Sequence, residues 1–385
     1  MTRREWKDIL ATAVGLNIGW GSLSYVALTI GIYVEGYGMT LAEAGAYGSA
    51  ELVSMTATAW VAALAFARSL GARVAILGAL ITGIGNILTA FADSETAILL
   101  SRLLAGGGAG VVAATINASV ARSADPVRVF ARANLGVIIL ATAFFLGMPW
   151  VAATMGYPAY FVAYGVFLTA GTPLMVWLRE SEGTTIDALY GQDKFRRKPA
   201  RAWVYLVAVF LLWLAYGIVF SFSERLGVSI GMKQTTVGTV IAVATFLGVI
   251  GSGIASRLGT TFGPTRSFVA GVLGLGLCFA GVTYATTALH YIVAMCLFGV
   301  VLFFALPFVV ELGARLDKAG RTASMVGGTL PMATAVSPLA GSWLIGAFGF
   351  RGAGITCLGV AAVVAAATPL FTKPNEAVGA ASKDS

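Results

Sequence analysis

Ala97–Asn134, AILLSRLLAGGGAGVVAATINASVARSADPVRVFARAN, decides how the whole chain is read. It opens as an apolar segment interrupted by one cation, Arg102. Small residues follow at Gly106, Gly107, Gly108 and Gly110, and then a polar loop with Arg122, Arg128 and Arg132. A guanidinium inside a membrane helix costs about 2.5–3.5 kcal/mol even on insertion scales, so it faces protein, water or a partner charge. The glycines strip bulk from the helix surface and let a neighbouring backbone approach. The closing arginines mark a cytoplasmic loop. The stretch therefore predicts a polytopic membrane protein with a polar site inside it.

Composition agrees. Of 385 residues, 58% are hydrophobic and 11% charged, against about 25% charged in an average soluble domain. A polar coat for such a chain does not exist, so lipid must solvate much of it. The net charge of +8 does not point to nucleic acid, because the cations lie in short loops between apolar runs. Cys278, Cys296 and Cys357 all fall within apolar segments, which suits buried small hydrophobes rather than a disulfide frame or a metal site. His290 stands without a ligand partner nearby in sequence. No cleaved signal peptide is expected, since the first apolar run is of spanning length.

Twelve hydrophobic runs can be marked, at 9–34, 41–66, 74–92, 97–120, 134–154, 159–178, 203–222, 236–256, 267–285, 291–310, 324–347 and 353–371. Each is near the ~20 residues that a spanning helix needs. Thr40-Leu41-Ala42-Glu43 is a capping box at the start of the second, and Asp125-Pro126 is a start signal for the fifth. With an N-terminus inside, 21 of the 25 cations fall in inner loops. Only Arg225, Lys233 and Arg351 fall outside, and Arg102 lies within the membrane. That asymmetry predicts cytoplasmic termini in a plasma or bacterial-type inner membrane.

The polar interval 179–202 divides the runs into two sets of six: residues 1–178, then 203–372, with a tail at 373–385. The halves echo one another at offsets of 188 to 193 residues. Arg68-Ser69-Leu70-Gly71 is repeated as Ser256-Arg257-Leu258-Gly259, Ala121–Asp125 as Ala314–Asp317, and Met155-Gly156-Tyr157 as Phe348-Gly349-Phe350. Matched six-helix halves are a signature of secondary transporters.

On these residues the chain resembles the major facilitator superfamily over nearly its whole length. Ile98, Arg102, Gly106, Gly108, Ala109 and Gly110 fit that family's fourth-helix motif, with Ala105 where a glutamine is usual. Leu64–Arg73 stands where the family carries its Gly-x-Leu-x-Asp-Arg-x-Gly-Arg loop; it keeps Gly71 and Arg73 and has Arg68 at the aspartate position. The resemblance implies an all-α fold of twelve transmembrane helices in two pseudo-symmetric six-helix bundles. It also implies a central cavity lined by helices 1, 4, 7 and 10, and a gating loop at Arg68, Gly71 and Arg73.

Those four helices carry polar or aromatic residues at helical spacing. Asn17, Trp20 and Ser24 share a face of the first; the fourth has Asn117; Trp213, Tyr216 and Phe220 share a face of the seventh; the tenth has Phe304 and Phe308, with Pro307 as a bend. Glu51 lies ten residues into its helix, ~15 Å deep, and Arg102 five residues into its own, ~8 Å, both from the outer side. The two are expected to meet and to couple a proton to transport. Glu51 is the one deep carboxylate in this reading, and Glu311 and Arg315 read as an i,i+4 pair at the inner gate. No phosphate-binding loop, metal cluster or nucleophile set is visible, so neither cofactor nor enzymatic chemistry is expected. The expected protein is a monomer that handles a small molecule and protons. Three readings stay open: proton-coupled export of a drug or metabolite, proton symport of an aromatic or aliphatic carboxylate anchored by Arg102, and a non-transporting sensor.

Overall fold

The computed structural model describes residues 3–65, 70–123, 126–178, 200–316 and 321–372, and all regular structure among them is helical. In chain order the helices are α1 (Arg3–Gly19), α2 (Gly21–Tyr37), α3 (Leu41–Ala65), α4 (Ala72–Ala90), α5 (Glu95–Ala121), α6 (Pro126–Met155), α7 (Tyr157–Ala170, continued by a 3-10 turn at Thr172–Trp177), α8 (Ala200–Ser221), α9 (Ser223–Ser229), α10 (Gln234–Phe262), α11 (Pro264–Thr283), α12 (Ala288–Leu316) and α13 (Arg321–Thr372). Asp125, Arg68 and most of the 179–202 interval lie outside the described residues.

Twelve spans result. Nine helices are each long and apolar enough to cross a membrane, and α1 with α2 forms a tenth, bent by 42°. The fifty-two residues of α13 break at Gly349 (φ 68°) into two spans. The twelfth is α3, which falls short on hydropathy because Gly45, Gly48, Ser49 and Glu51 occupy the places of larger apolar side chains. The first span of each half is interrupted, at Trp20 between α1 and α2 and at Phe222 between α8 and α9. Several helices also outrun their apolar stretches: α6 begins at Pro126 rather than 134, and α10 ends at Phe262 rather than 256.

The capping box forms as read. The Thr40 hydroxyl accepts the Glu43 N–H at 3.3 Å and the Glu43 carboxylate accepts the Thr40 N–H at 2.8 Å. Thr40→Ala is expected to cost about 0.5–2 kcal/mol, seen as a lower unfolding midpoint of the purified protein.

The two halves repeat with an offset of 193 residues that the backbone makes visible. Gly38 and Gly231 end the first span of each half with positive φ (66° and 88°), and Gly156 and Gly349 turn the chain before the last span of each half (89° and 68°). Packing obeys the same offset. A Cβ on Gly106 would stand 2.0 Å from the Glu51 carbonyl oxygen, and one on Gly299 would stand 2.0 Å from that of Ala244. Between the halves the contacts are reciprocal: Gly45 of α3 meets Pro338 and Ser342 of α13, while Gly238 of α10 meets Phe145 and Pro149 of α6.

Both Arg3 and Thr372 lie at one end of the bundle, the basal end, and the turns at Gly38 and Gly231 lie at the opposite, apical end. Among the described residues, every glycine that meets the other half within 3 Å, namely Gly31, Gly45 and Gly238, sits in the apical half.

Candidate functional site

The polar knot lies in the first half, where α3, α4 and α5 pack with hardly any side chain between them. Gly106 and Gly110 set the α5 backbone against Glu51 and Met55 of α3, and Gly108 sets it against Gly78 and Thr82 of α4. That contact carries Arg102 into full burial (0% exposed) opposite Glu51 (4%). Arg102 Nη1 lies 3.3 Å from Glu51 Oε2 and donates to Asn86 Oδ1 at 3.1 Å. Nη2 donates to the Gly85 carbonyl at 3.1 Å, and Nε to Thr89 Oγ1 at 3.0 Å. The Ser22 hydroxyl donates to Glu51 Oε1 at 2.6 Å, and the guanidinium stands 5.1 Å from the Phe161 ring centroid. The structure brings Glu51 and Arg102 together, and neither reaches the space between the halves.

That space is a cavity of about 570 Å³. Its lining runs from mid-depth toward the basal end, from Trp20, Phe145 and Trp213 down to Phe130 and Val310. Trp20, Ser24, Trp213, Tyr216 and Phe220 line it. Tyr216 stacks on Phe220 (5.6 Å between centroids) and packs against Phe298 at 5.8 Å. The indole N–H of Trp20 is shielded and has no acceptor among the described residues. No charged side chain lines the wall.

Four expected lining residues lie elsewhere. Asn17, one step round α1 from Leu16, turns inward and accepts the Tyr25 hydroxyl. Asn117 is exposed on the outside of α5. Phe304 and Phe308 contact one another at 5.3 Å, about a quarter-turn from the wall-forming stripe at 295, 298, 299, 302, 303 and 306. The fourth span contributes nothing to the wall, because α5 is pinned against α3 and α4. Its place is taken by α6, α10 and the first part of α13, which supply Asn134, Thr245, Leu330 and Thr334 among others. The available signal was the three- and four-residue spacing of Phe130, Asn134, Val137, Ile138, Ala141 and Phe145 along α6.

The basal gating residues divide. Gly71 caps α4 in an extended conformation and Arg73 is exposed. Arg122 Nη2 donates to the Leu70 carbonyl at 3.1 Å, tying the turn before α4 to the end of α5. Glu311 and Arg315 form the surface pair read from their spacing, at 2.7 Å.

At the apical end stands a second buried carboxylate that sequence reading missed. Glu224 of α9 is 0% exposed. Its Oε2 accepts Arg225 Nε at 2.6 Å, and its Oε1 accepts Arg225 Nη2 at 2.7 Å and Gln234 Nε2 at 3.1 Å. Arg225 Nη1 reaches across the halves to Glu35 of α2 at 2.8 Å. From sequence alone Arg225 falls in an outer loop and Glu224 is given no role. The helix continuing past the break at Phe222 carries them inward instead.

A sequence model described as "Major Facilitator Superfamily" matches residues 9–316. No match is found among curated proteins. Among solved structures, the chain is similar to the nucleoside transporter NupG (TM-score 0.76, 15% identity, 97% of this chain and 100% of that one). It is also similar to a partially occluded, inward-open xylose transporter XylE from E. coli (0.69, 12%, 96% and 100%) and to a D-xylose–proton symporter (0.71, 14%, 95% and 97%). At these identities the likeness establishes the fold.

Proposed function

The chain belongs to the major facilitator superfamily, and from that premise we propose that it is a secondary transporter exporting an uncharged, flat, amphipathic drug or metabolite in exchange for protons. The observation that carries this reading is the wall of the cavity, which is aromatic and free of charged side chains. A carboxylate or ammonium cargo would enter without a counter-charge, and an unpaired buried ion is costly. Arg102, the candidate anchor for an anion, is spent on Glu51, Asn86, Gly85 and Thr89. A sugar or nucleoside, the cargo in the names of the similar structures, carries many hydroxyls that each need a partner. Ser24, Thr245 and Thr334 give their hydroxyl protons to carbonyls of their own helices. That leaves chiefly the Asn134 amide and the Tyr216 hydroxyl. The loop cations favour a cytoplasmic basal end, so the cavity would load from the cytoplasm.

Three naphthalene derivatives, the amide, the carboxylate and the aminomethyl compound, test the reading with one ring and three charges. Tryptophan fluorescence of the purified protein is expected to report amide binding at least about tenfold tighter than either ion, a difference of about 1.4 kcal/mol. Asn134→Leu, which keeps the side chain's bulk and removes its amide from the wall, is expected to weaken amide binding by about 0.5–1.5 kcal/mol. Tighter binding of the carboxylate would reject the neutral-cargo reading. Counterflow of the labelled amide in proteoliposomes separates transport from sensing.

A further inference from the structure

The apical cluster joins the two halves at an unusual place. Glu224 and Gly31 are 193 residues apart, so they are counterparts in the two repeats, and they touch: a Cβ on Gly31 would stand 2.2 Å from Glu224 Oε2. The carboxylate therefore sits where α2 and α9 cross, filling the space that its glycine counterpart leaves open. Facing it are Arg225 beside it on α9, Gln234 of α10 and, through Arg225, Glu35 of α2. Tyr291 of α12 stands behind, its hydroxyl donating to the Ser223 carbonyl at 2.9 Å. One guanidinium is thus shared by two carboxylates from opposite halves. With every group ionised, the closed cluster holds a net charge of −1.

We infer that the Glu35–Arg225–Glu224 cluster is the binding site for the coupling proton and that its occupancy sets the apical gate. Apical closure holds the Glu224 carboxylate dry between the halves while its one cation is shared with the half-exposed Glu35, and one proton removes the excess charge. Apical opening pulls Glu224 away from Gly31, breaks the Arg225–Glu35 contact and hydrates Glu224, so the proton taken up on reclosure comes from the apical side, as exchange against exported cargo requires. The closed state binds one proton more than the open state. By linkage, falling pH favours closure and rising pH favours opening, by at most about tenfold in the open-to-closed ratio per pH unit for one proton. Glu51 has no part in this, because it contacts only its own half. The inference rests on the proton-coupled reading above but needs no cargo, so its failure and the failure of the neutral-cargo reading are separable.

The test is a pulsed electron-spin distance measurement on the full chain in nanodiscs, with the native cysteines replaced and labels at the exposed apical positions Asp93 and Thr286. In this background the long-distance population is expected to grow as pH rises. Glu224→Gln removes the odd charge while keeping the side chain's shape. It is expected to hold the gate closed with no pH response, and Glu35→Gln, a half-exposed site that folding tolerates, to flatten the response as well. Glu51→Gln is expected to leave the profile unchanged. A pH-independent parent, a full response in either Glu35→Gln or Glu224→Gln, or a response abolished by Glu51→Gln would each overturn the assignment.

Discussion

Glu51→Leu should destabilise the protein by about 3–5 kcal/mol, because it strands the guanidinium of Arg102 in a site with no route to water. Arg102 is 0% exposed, and its remaining partners, Asn86, Gly85 and Thr89, are neutral. Removing both charges should be far milder. Thr89 already donates to the Gly85 carbonyl and Asn86 Nδ2 to that of Thr82, so only the Asn86 Oδ1, a neutral acceptor, loses its donor when the arginine goes. The second half supplies the replacement: 193 residues on from Glu51 and Arg102 stand Ala244 and Met295, in the same backbone setting. The double variant Glu51→Ala with Arg102→Met is therefore expected to recover most of the loss. Unfolding midpoints of the single and double variants check this. A double variant as unstable as Glu51→Leu would mean that the charge itself is not what the knot must satisfy.

Gly106→Val is expected to abolish the folded protein. Its first added carbon would lie 2.0 Å from the Glu51 carbonyl oxygen and 3.2 Å from that residue's Cα, both backbone atoms that cannot swing aside. Overpacking against mobile side chains costs about 1–3 kcal/mol; here α3 and α5 would have to part, and the ion pair with them. Gly107→Ala is the matched control, since its Cβ would meet nothing nearer than the Ser54 hydroxyl at 3.5 Å. Size-exclusion profiles of the detergent-extracted variants should show a monodisperse peak for Gly107→Ala and none for Gly106→Val. A normal peak and midpoint for Gly106→Val would refute the close-approach argument.

Much of this was legible before any coordinates. Arg102 with its glycines announced a tight helix contact around a buried cation, and the loop echoes announced repeats. The Thr40–Glu43 spacing located a helix start to the residue. What stayed hidden has a common physical cause: it depends on how helices rotate and break. Phe304 and Phe308 have the right spacing, but α12 turns a neighbouring stripe toward the cavity. Asn17 and Trp20 share a face by spacing, yet the bend after Gly19 lets one bond Tyr25 while the other lines the wall. Glu224 was unreadable because the apolar run ends at Phe222, and nothing in the polar residues that follow shows that a further helix, Ser223–Ser229, carries them back to the interface.

The reciprocal contacts of Gly45 with α13 and Gly238 with α10 have a mechanical meaning. Two bearings define an axle. With only hydrogen on the glycine's face of each bearing, any rocking of one half on the other would turn about this axle, and the two rims would swing in opposite senses. A side chain at Gly45 or Gly238 would act as a wedge under a see-saw, jamming its travel while leaving each arm intact.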